Sequence, residues 1–410
     1  VVWSSSSCSP YEWTETLVGA NFNDEPGHPN PIPDCLSGTW TLSEVACGYD
    51  SITEGVGLSM AALAAPNWDR TQSRHEGKIR VGFACPCLVL GGAESVQLAI
   101  ARSLDPAKFS LVGVTLTGPT YMDSAIQEYE GLCPVSSGDS ALQSLAENCD
   151  VLIFWGHLDV SLPDLVHRPK VVSVCHIPPE WDNGLYKSTE GIDAFVAVSP
   201  TALEVVPKHL RDKAIVIPNA LDPNHVAFKR SREQVRRQWG VDGDQIVIGY
   251  LGRLNDEKNP KAMSELAQEI KSAGLNWQVV VVGGGSITLE PTSNLKVVGP
   301  DARAGDCLSA FDWLVVPSNF ESYCLSAVEA FALGVPVVAT LTGVAAQVPG
   351  LARTVPIPAT GQTLLKAILD DARDVDGTYE RIERAQEWAA ENAGIEAFGK
   401  SWSEYLAGLV

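Results

Sequence analysis

The chain has 410 residues, 50 acidic and 29 basic, for a formal net charge of −21, with hydrophobic residues at 45%. That length accommodates about two to three domains with well-buried sheets, while the acidic charge, spread without a block of like sign, argues against broad nucleic-acid binding, which needs clustered Lys and Arg. No apolar run reaches the ~18 residues of a membrane-spanning helix, and ten cysteines at irregular spacings read as small buried side chains of a reducing, cytoplasmic compartment.

Residues 1–75 are rich in Ser, Pro, Gly and Trp and carry no sustained period. They read as an irregular extension, wrapped over the first domain through Trp3, Trp13 and Trp40. Cys8, His28, Cys35 and Cys47 match no metal-ligand spacing. From Lys78 the pattern changes to short β-branched runs between helical stretches: KIRVGFAC, FSLVGVTL, DVLIFWG, KVVSVCH, DAFVAVS and KAIVIPN. A polar, proline-containing stretch with a short basic helix follows near residue 225. The pattern then repeats as QIVIGYL, WQVVVVGGG, LKVVG, DWLVVPS and VPVVAT. Nearly continuous apolar strands separated by helices predict parallel sheets covered on both faces. The expected fold is α/β: two tandem Rossmann-like doubly wound domains, 76–225 and 226–385, facing across a cleft. Residues 386–410, apolar at helical spacing, are expected to cross back.

Ligands of such sheets lie beyond the carboxyl ends of the strands, so the strand ends carry the candidates. After the first strand stand Gly91 and Gly92, opening a helix whose N–H groups favour an anion; a plain turn is the alternative. His176 ends the strand KVVSVC and faces the cleft, in a structural or a functional role. Arg253 and Lys258 follow QIVIGYL five residues apart, where both can reach a pair of phosphates. Two solvated surface cations are the bland reading. Gly283 opens a glycine run after WQVVVV that lacks a dinucleotide-binding spacing. Glu321 and Glu329 stand in the apolar stretch ESYCLSAVEAFALGVPVVAT. The helix there is expected to start between Ser322 and Leu325, with Glu321 in the loop before it, Glu329 about two turns inside, and the N–H groups of Tyr323, Cys324 and Leu325 open to an anion. Asp242-Gly243-Asp244 precedes a strand and Asp374-Val375-Asp376 falls in a late helical region, so no metal is expected.

These residues carry a resemblance. ESYCLSAVEAFALGVPVVAT resembles the E-x7-E signature of retaining, nucleotide-sugar-dependent glycosyltransferases of the GT-B fold, close to glycosyltransferase family 4. GRLNDEKN, GGAE, VAVSPTALEVV and VIPNALDPN resemble further elements of that family, over residues 78–406 in all. The resemblance implies that Arg253, Lys258 and the N–H groups at Tyr323, Cys324 and Leu325 hold the donor diphosphate. It implies that Glu329 binds the ribose hydroxyls and that Glu321 contacts the transferred sugar. His176 would lie near that sugar or the acceptor, Gly91 and Gly92 would close over the donor, and backbone from Val298 to Pro300 would hold the base, beside Gly283. No cofactor is implied beyond a nucleotide-sugar donor, UDP-linked by preference, and the acceptor is unspecified. Ser322 and Tyr323 after the first glutamate, and Ala220 where the family usually has glycine, are departures. A catalytically silent sugar-nucleotide binding protein and an enzyme acting on modified bases of nucleic acid remain open alternatives.

Overall fold

Runs of valine and isoleucine too apolar to leave either face in water pair into two sheets whose recorded strand pairs are all parallel. The computed structural model describes residues 77–410 apart from 90, 130, 156–164, 166–167, 182–188, 242, 244 and 302. The extension of residues 1–75, with Trp3, Trp13, Trp40, Cys8, His28, Cys35 and Cys47, lies outside the described residues, as do Asp242 and Asp244.

The first sheet holds β1 (Ile79–Leu88), β2 (Phe109–Tyr121), β3 (Val135–Ser137), β4 (Val151–Trp155), β5 (Lys170–Cys175), β6 (Ala194–Ala197) and β7 (Ala214–Val216). Their order is β3-β2-β1-β4-β5-β6-β7. The second sheet holds β8 (Ile246–Leu251), β9 (Trp277–Val282), β10 (Leu295–Val298), β11 (Trp313–Val316), β12 (Val337–Thr340) and β13 (Arg353–Val355). Its order is β10-β9-β8-β11-β12-β13. Each sheet therefore reverses its winding once, between β1 and β4 and between β8 and β11, and leaves a crevice at that point. All six residues of β9, WQVVVV, are buried, and Trp277 stacks on Trp313 with ring centres 6.3 Å apart. Strands β3 and β13 go beyond the sequence expectation. Both are three-residue edge strands, VSS and RTV, too short and polar to show a buried run.

The two sheets are joined twice. One connection runs from β7 through α5 (Pro223–Val226) and α6 (Arg232–Gln238) to β8. The helices of the first sheet that precede it include α1 (Gly92–Ser103), α2 (Asp123–Gln127), α3 (Asp139–Asn148) and α4 (Pro200–Leu203). In the second sheet α7 (Lys261–Ser272), α8 (Ala304–Ser309), α9 (Leu325–Ala332), α10 (Gly343–Gln347) and α11 (Gly361–Arg373) link the strands. The chain then closes with α12 (Val375–Asn392) and α13 (Ile395–Ala407). Helix α12 packs on α9 of the second sheet, whereas α13 packs on α1 of the first. Position 385/386 thus falls inside α12, and the break comes at Ala393 and Gly394. There the Ala393 carbonyl accepts the Leu221 N–H at 3.0 Å, so both connections pass side by side.

Helix α13 is seated by Phe398, Trp402 and Leu406, all buried. It approaches α1 so closely that a Cβ on Gly399 would fall 2.2 Å from the Ser103 carbonyl oxygen. A rigid backbone atom cannot yield to that contact. Gly399→Val is therefore expected to lift α13 from α1 and lower stability by about 2–3 kcal/mol, measured by urea denaturation. Unchanged stability would show that this packing does not hold the closing helix.

Candidate functional site

The crevice of the second sheet lies between the loops that follow β8 and β11. From β8 the chain passes Gly252 and Arg253 into a single 3-10 turn, Asp256–Lys258. That turn carries Lys258 to Glu321, where Nζ lies 2.7 Å from both Oε1 and Oε2. Ser318 Oγ donates to the same Oε1 at 2.8 Å. The Glu257 carbonyl accepts the N–H groups of Asn319 and Phe320, tying the two loops together. Arg253 is held differently: its Nη2 is 3.3 Å from Glu257 Oε1, and its guanidinium lies 5.2 Å from the ring centre of Trp181. Trp181 belongs to the turn Pro179–Trp181 of the first domain, so this cation–π contact spans the cleft. Arg253 and Lys258, expected to reach one pair of phosphates, are both engaged in the ligand-free structure. Each cation already has a carboxylate, because in a cleft this sheltered an unpaired charge is costly.

Gly283, at φ 152, lets the loop after β9 approach the Arg253 loop; a Cβ there would fall 1.9 Å from the Gly252 carbonyl oxygen. Its N–H donates to the Val298 carbonyl at the end of β10. Gly283 and Val298 are thus held together next to the Gly252–Arg253 loop.

Helix α9 starts at Leu325, after Cys324 at φ 76 and ψ 76 with no side-chain cap. The left-handed residue ends the helical path there, so Glu329 is only one turn inside, nearer the N-terminus than expected. Burial pushes the Cys324 thiol up to about 12, which keeps it protonated. The first N–H groups of a helix have no intrahelical acceptor, and at the start of α9 the Cys324 thiol lies close enough to Glu321 and Lys258 to feel both charges. Glu329 is 5% exposed. Burial raises its carboxyl above the ordinary range, offset in part by His225, whose Nε2 is 3.4 Å away.

The same loop touches the first domain. Ser322 Oγ donates to the His176 carbonyl, and the Tyr323 hydroxyl donates to the Asn219 carbonyl at 2.9 Å. The His176 ring stands edge-on to Trp155, 6.3 Å between centres. Burial lowers His176 to about 4, so at neutral pH it is an uncharged imidazole that can exchange hydrogen bonds but not offer a cation.

Across the cleft, Gly92 at the start of α1 faces Leu325 at the start of α9; a Cβ on Gly92 would meet a Leu325 methyl at 3.6 Å. Yet Glu94 folds back over this helix end. Its Oε2 lies 2.4 Å from where a Gly91 Cβ would stand, which explains the glycine. It accepts Cys87 Sγ at 3.4 Å and is 3% exposed. The end of α1, where the sequence at Gly91 and Gly92 led to the expectation of N–H groups open to an anion, thus carries a buried carboxyl beside it. Burial pushes Glu94 up to about 7, partly countered by its own backbone N–H, by Cys87 and by Arg253 across the cleft. Glu94, Glu257, Trp181 and His225 are the site residues that sequence reasoning missed; only Glu94 was signalled, by an acidic first turn after two glycines.

Asp374 caps α12 through the Gly377 N–H. Among the described residues no group of three or more His, Cys, Asp or Glu could hold a metal ion, and no helix is long and apolar enough to cross a membrane.

Residues 231–354 match the family model described as glycosyl transferases group 1. The D-inositol 3-phosphate glycosyltransferase of Rhodococcus erythropolis is 32% identical over 200 residues, 44% of this chain and 43% of the relative. The 2-deoxystreptamine glucosyltransferase of Streptomyces kanamyceticus is 27% identical over 209 residues, 46% of this chain and 53% of the relative. The chain thus spans about half the length of these curated relatives. Anabaena HepE, solved in complex with UDP-glucose, superposes with a TM-score of 0.67 at 18% identity, over 80% of this chain and 100% of that one. WaaG, a glycosyltransferase involved in lipopolysaccharide biosynthesis, gives 0.59 at 14%, over 80% and 100%. At such identities the likeness is one of fold, and it identifies the paired sheets as the GT-B arrangement.

The Glu94 carboxyl carries a pH signature. Its folded value, about 7, lies above the ordinary 4.5, so between the two the folded state keeps a proton that the unfolded state releases. Stability falls as pH rises through that window and levels above it. Glu94→Gln removes the penalty. Its stability advantage over the parent is expected to grow from near zero at low pH to on the order of 3 kcal/mol at mildly alkaline pH, read from urea midpoints. Parallel curves would mean that Glu94 titrates as an exposed carboxyl.

Proposed function

We propose that this chain, which belongs to the group 1 glycosyl transferases, moves a hexose from a UDP-sugar to a hydroxyl acceptor with retention of configuration. The observation that carries this is the Lys258–Glu321 pair beside the start of α9, with Arg253 on the neighbouring loop, at the crevice of the second sheet. The UDP-glucose held by HepE, which shares the fold, supports a UDP-linked donor.

Breaking a glycosyl phosphate leaves an oxocarbenium-like sugar and a diphosphate with added negative charge. Arg253, Lys258 and the N–H groups at Tyr323, Cys324 and Leu325 meet that charge from fixed positions, and fixed dipoles need no rearrangement at the moment of reaction. Lys258 already points at Glu321, so one ammonium can bridge the leaving diphosphate and the carboxylate assigned to the departing sugar. The charge on the diphosphate is met by these groups without a metal ion. Glu329, one turn further along α9, accepts the ribose hydroxyls. Gly283 and the backbone from Val298 to Pro300 flank the base. Neutral His176 exchanges hydrogen bonds with a hydroxyl of the sugar or the acceptor, and the loop at Gly91 and Gly92 covers the sugar from the first domain, the acceptor side. The leaving phosphate receives the acceptor proton.

Turnover of UDP-, GDP- and ADP-linked sugars, followed by nucleotide release, tests the reading. A UDP-hexose is expected to be consumed. Glu329→Ala is expected to raise the donor KM by about 10-fold or more, the loss of a charged hydrogen bond, and Glu321→Ala to lower kcat by about 100-fold. Donor binding without turnover of any sugar in the panel would instead leave a sugar-nucleotide binding protein.

A further inference from the structure

Glu329 has apolar company. Ala327, Val328, Ala330 and Phe331 on α9 are all buried, and burial drives its carboxyl toward the protonated form. A carboxyl that holds a proton donates from one oxygen and cannot accept hydroxyls at both. Among the described residues, the charge that acts against this drift is that of His225, with Nε2 3.4 Å from Oε1.

His225 comes from neither sheet. It sits on α5, in the connection between β7 and β8, and α5 is fixed from two sides. Asp222 caps it by accepting the Asn224 N–H at 2.9 Å and also pairs with Arg102 of α1 in the first domain. On the other side α8 lies so near that a Cβ on Gly305 would fall 2.2 Å from the Val226 carbonyl oxygen. The backbone that carries the imidazole is therefore fixed beside Glu329. The ring remains 29% exposed, so replacing it opens no sealed cavity.

We propose that His225 is a positioning residue for the donor: its Nε2–H engages one oxygen of Glu329 and turns the other toward the ribose hydroxyls. The proton is present on Nε2 in the imidazolium and in one neutral tautomer, so the contact does not depend on a charged histidine. The inference rests on the reading of Glu329 as the ribose ligand. It adds that the connection between the domains, through Arg102, Asp222 and His225, sets the orientation of that ligand.

Deleting hydroxyls from the ligand separates positioning from general support. Binding of UDP and of 2′,3′-dideoxy-UDP is measured by calorimetry for the parent, His225→Ala, His225→Gln and Glu329→Ala. His225→Ala is expected to weaken UDP about 5- to 20-fold while leaving the dideoxy compound within about twofold. His225→Gln, whose amide N–H reaches a similar place, is expected to recover part of the loss. Equal weakening of both ligands, or none, would overturn the proposal. If Glu329→Ala costs UDP its hydroxyl-dependent affinity while His225→Ala does not, the proposal fails and the ribose reading stands. If Glu329→Ala also shows no such cost, or UDP does not bind the parent, the donor reading fails and takes the proposal with it.

Discussion

A lysine ammonium and a glutamate carboxylate, 2.7 Å apart and largely withdrawn from water, join the loop after β8 to the loop after β11. Taking both ions out of water is expensive, and their attraction repays it only when further hydrogen bonds complete the site. Ser318 supplies one, and the backbone bonds from Asn319 and Phe320 to Glu257 hold the loops at the required spacing. An apolar pair would close the same gap at less cost, so stability alone does not account for Lys258 and Glu321. Charge kept at a sheet crevice in spite of its cost is suited to a ligand that brings its own charge.

The two helix ends that face one another across the cleft differ in one respect that decides their use. Helix α1 has Glu94 in its first turn, folded back over the N–H groups. Helix α9 has no acidic residue in its first turn and no side-chain cap. Neither end has a side-chain cap, but the start of α1 carries a buried carboxyl while the start of α9 has Lys258 and Arg253 on neighbouring loops. This asymmetry is consistent in sign with the proposed placement of the diphosphate beside the second sheet.

Much of this was legible in the sequence for a physical reason. Strands covered on both faces must be apolar throughout, so runs such as WQVVVV and WLVV declared themselves, and the loops after them located the crevices. The edge strands β3 and β13 escaped because an edge does not demand an apolar run. Helix α9 begins at Leu325, the last residue of the expected range, because Cys324 takes a left-handed conformation that the sequence does not signal, and Glu329 therefore lies one turn inside instead of two. The cations were found, but not what holds them. Glu257 lies four residues from Arg253 and reads as an exposed acid, Trp181 comes from the other domain, and His225 lies in a connection that showed only prolines and charge. Glu94 was in view, yet an acidic first turn ordinarily points to water, and only the packing of α1 against Cys87 shows this one to be sealed.

What the sequence divides into domains, the site recombines. The loop from Glu321 to Leu325 belongs to the second sheet, but Ser322 reaches the His176 carbonyl, Tyr323 reaches Asn219 and Arg253 rests on Trp181. Each contact is modest alone, and each needs the two sheets at the present separation. Moving the domains apart would release the backbone of this loop from two of its supports and Arg253 from its aromatic face at once. The start of α9 is therefore shaped by closure itself. In the reverse direction, a ligand that fixes this loop favours the closed arrangement by whatever it gains from contacts the open one lacks.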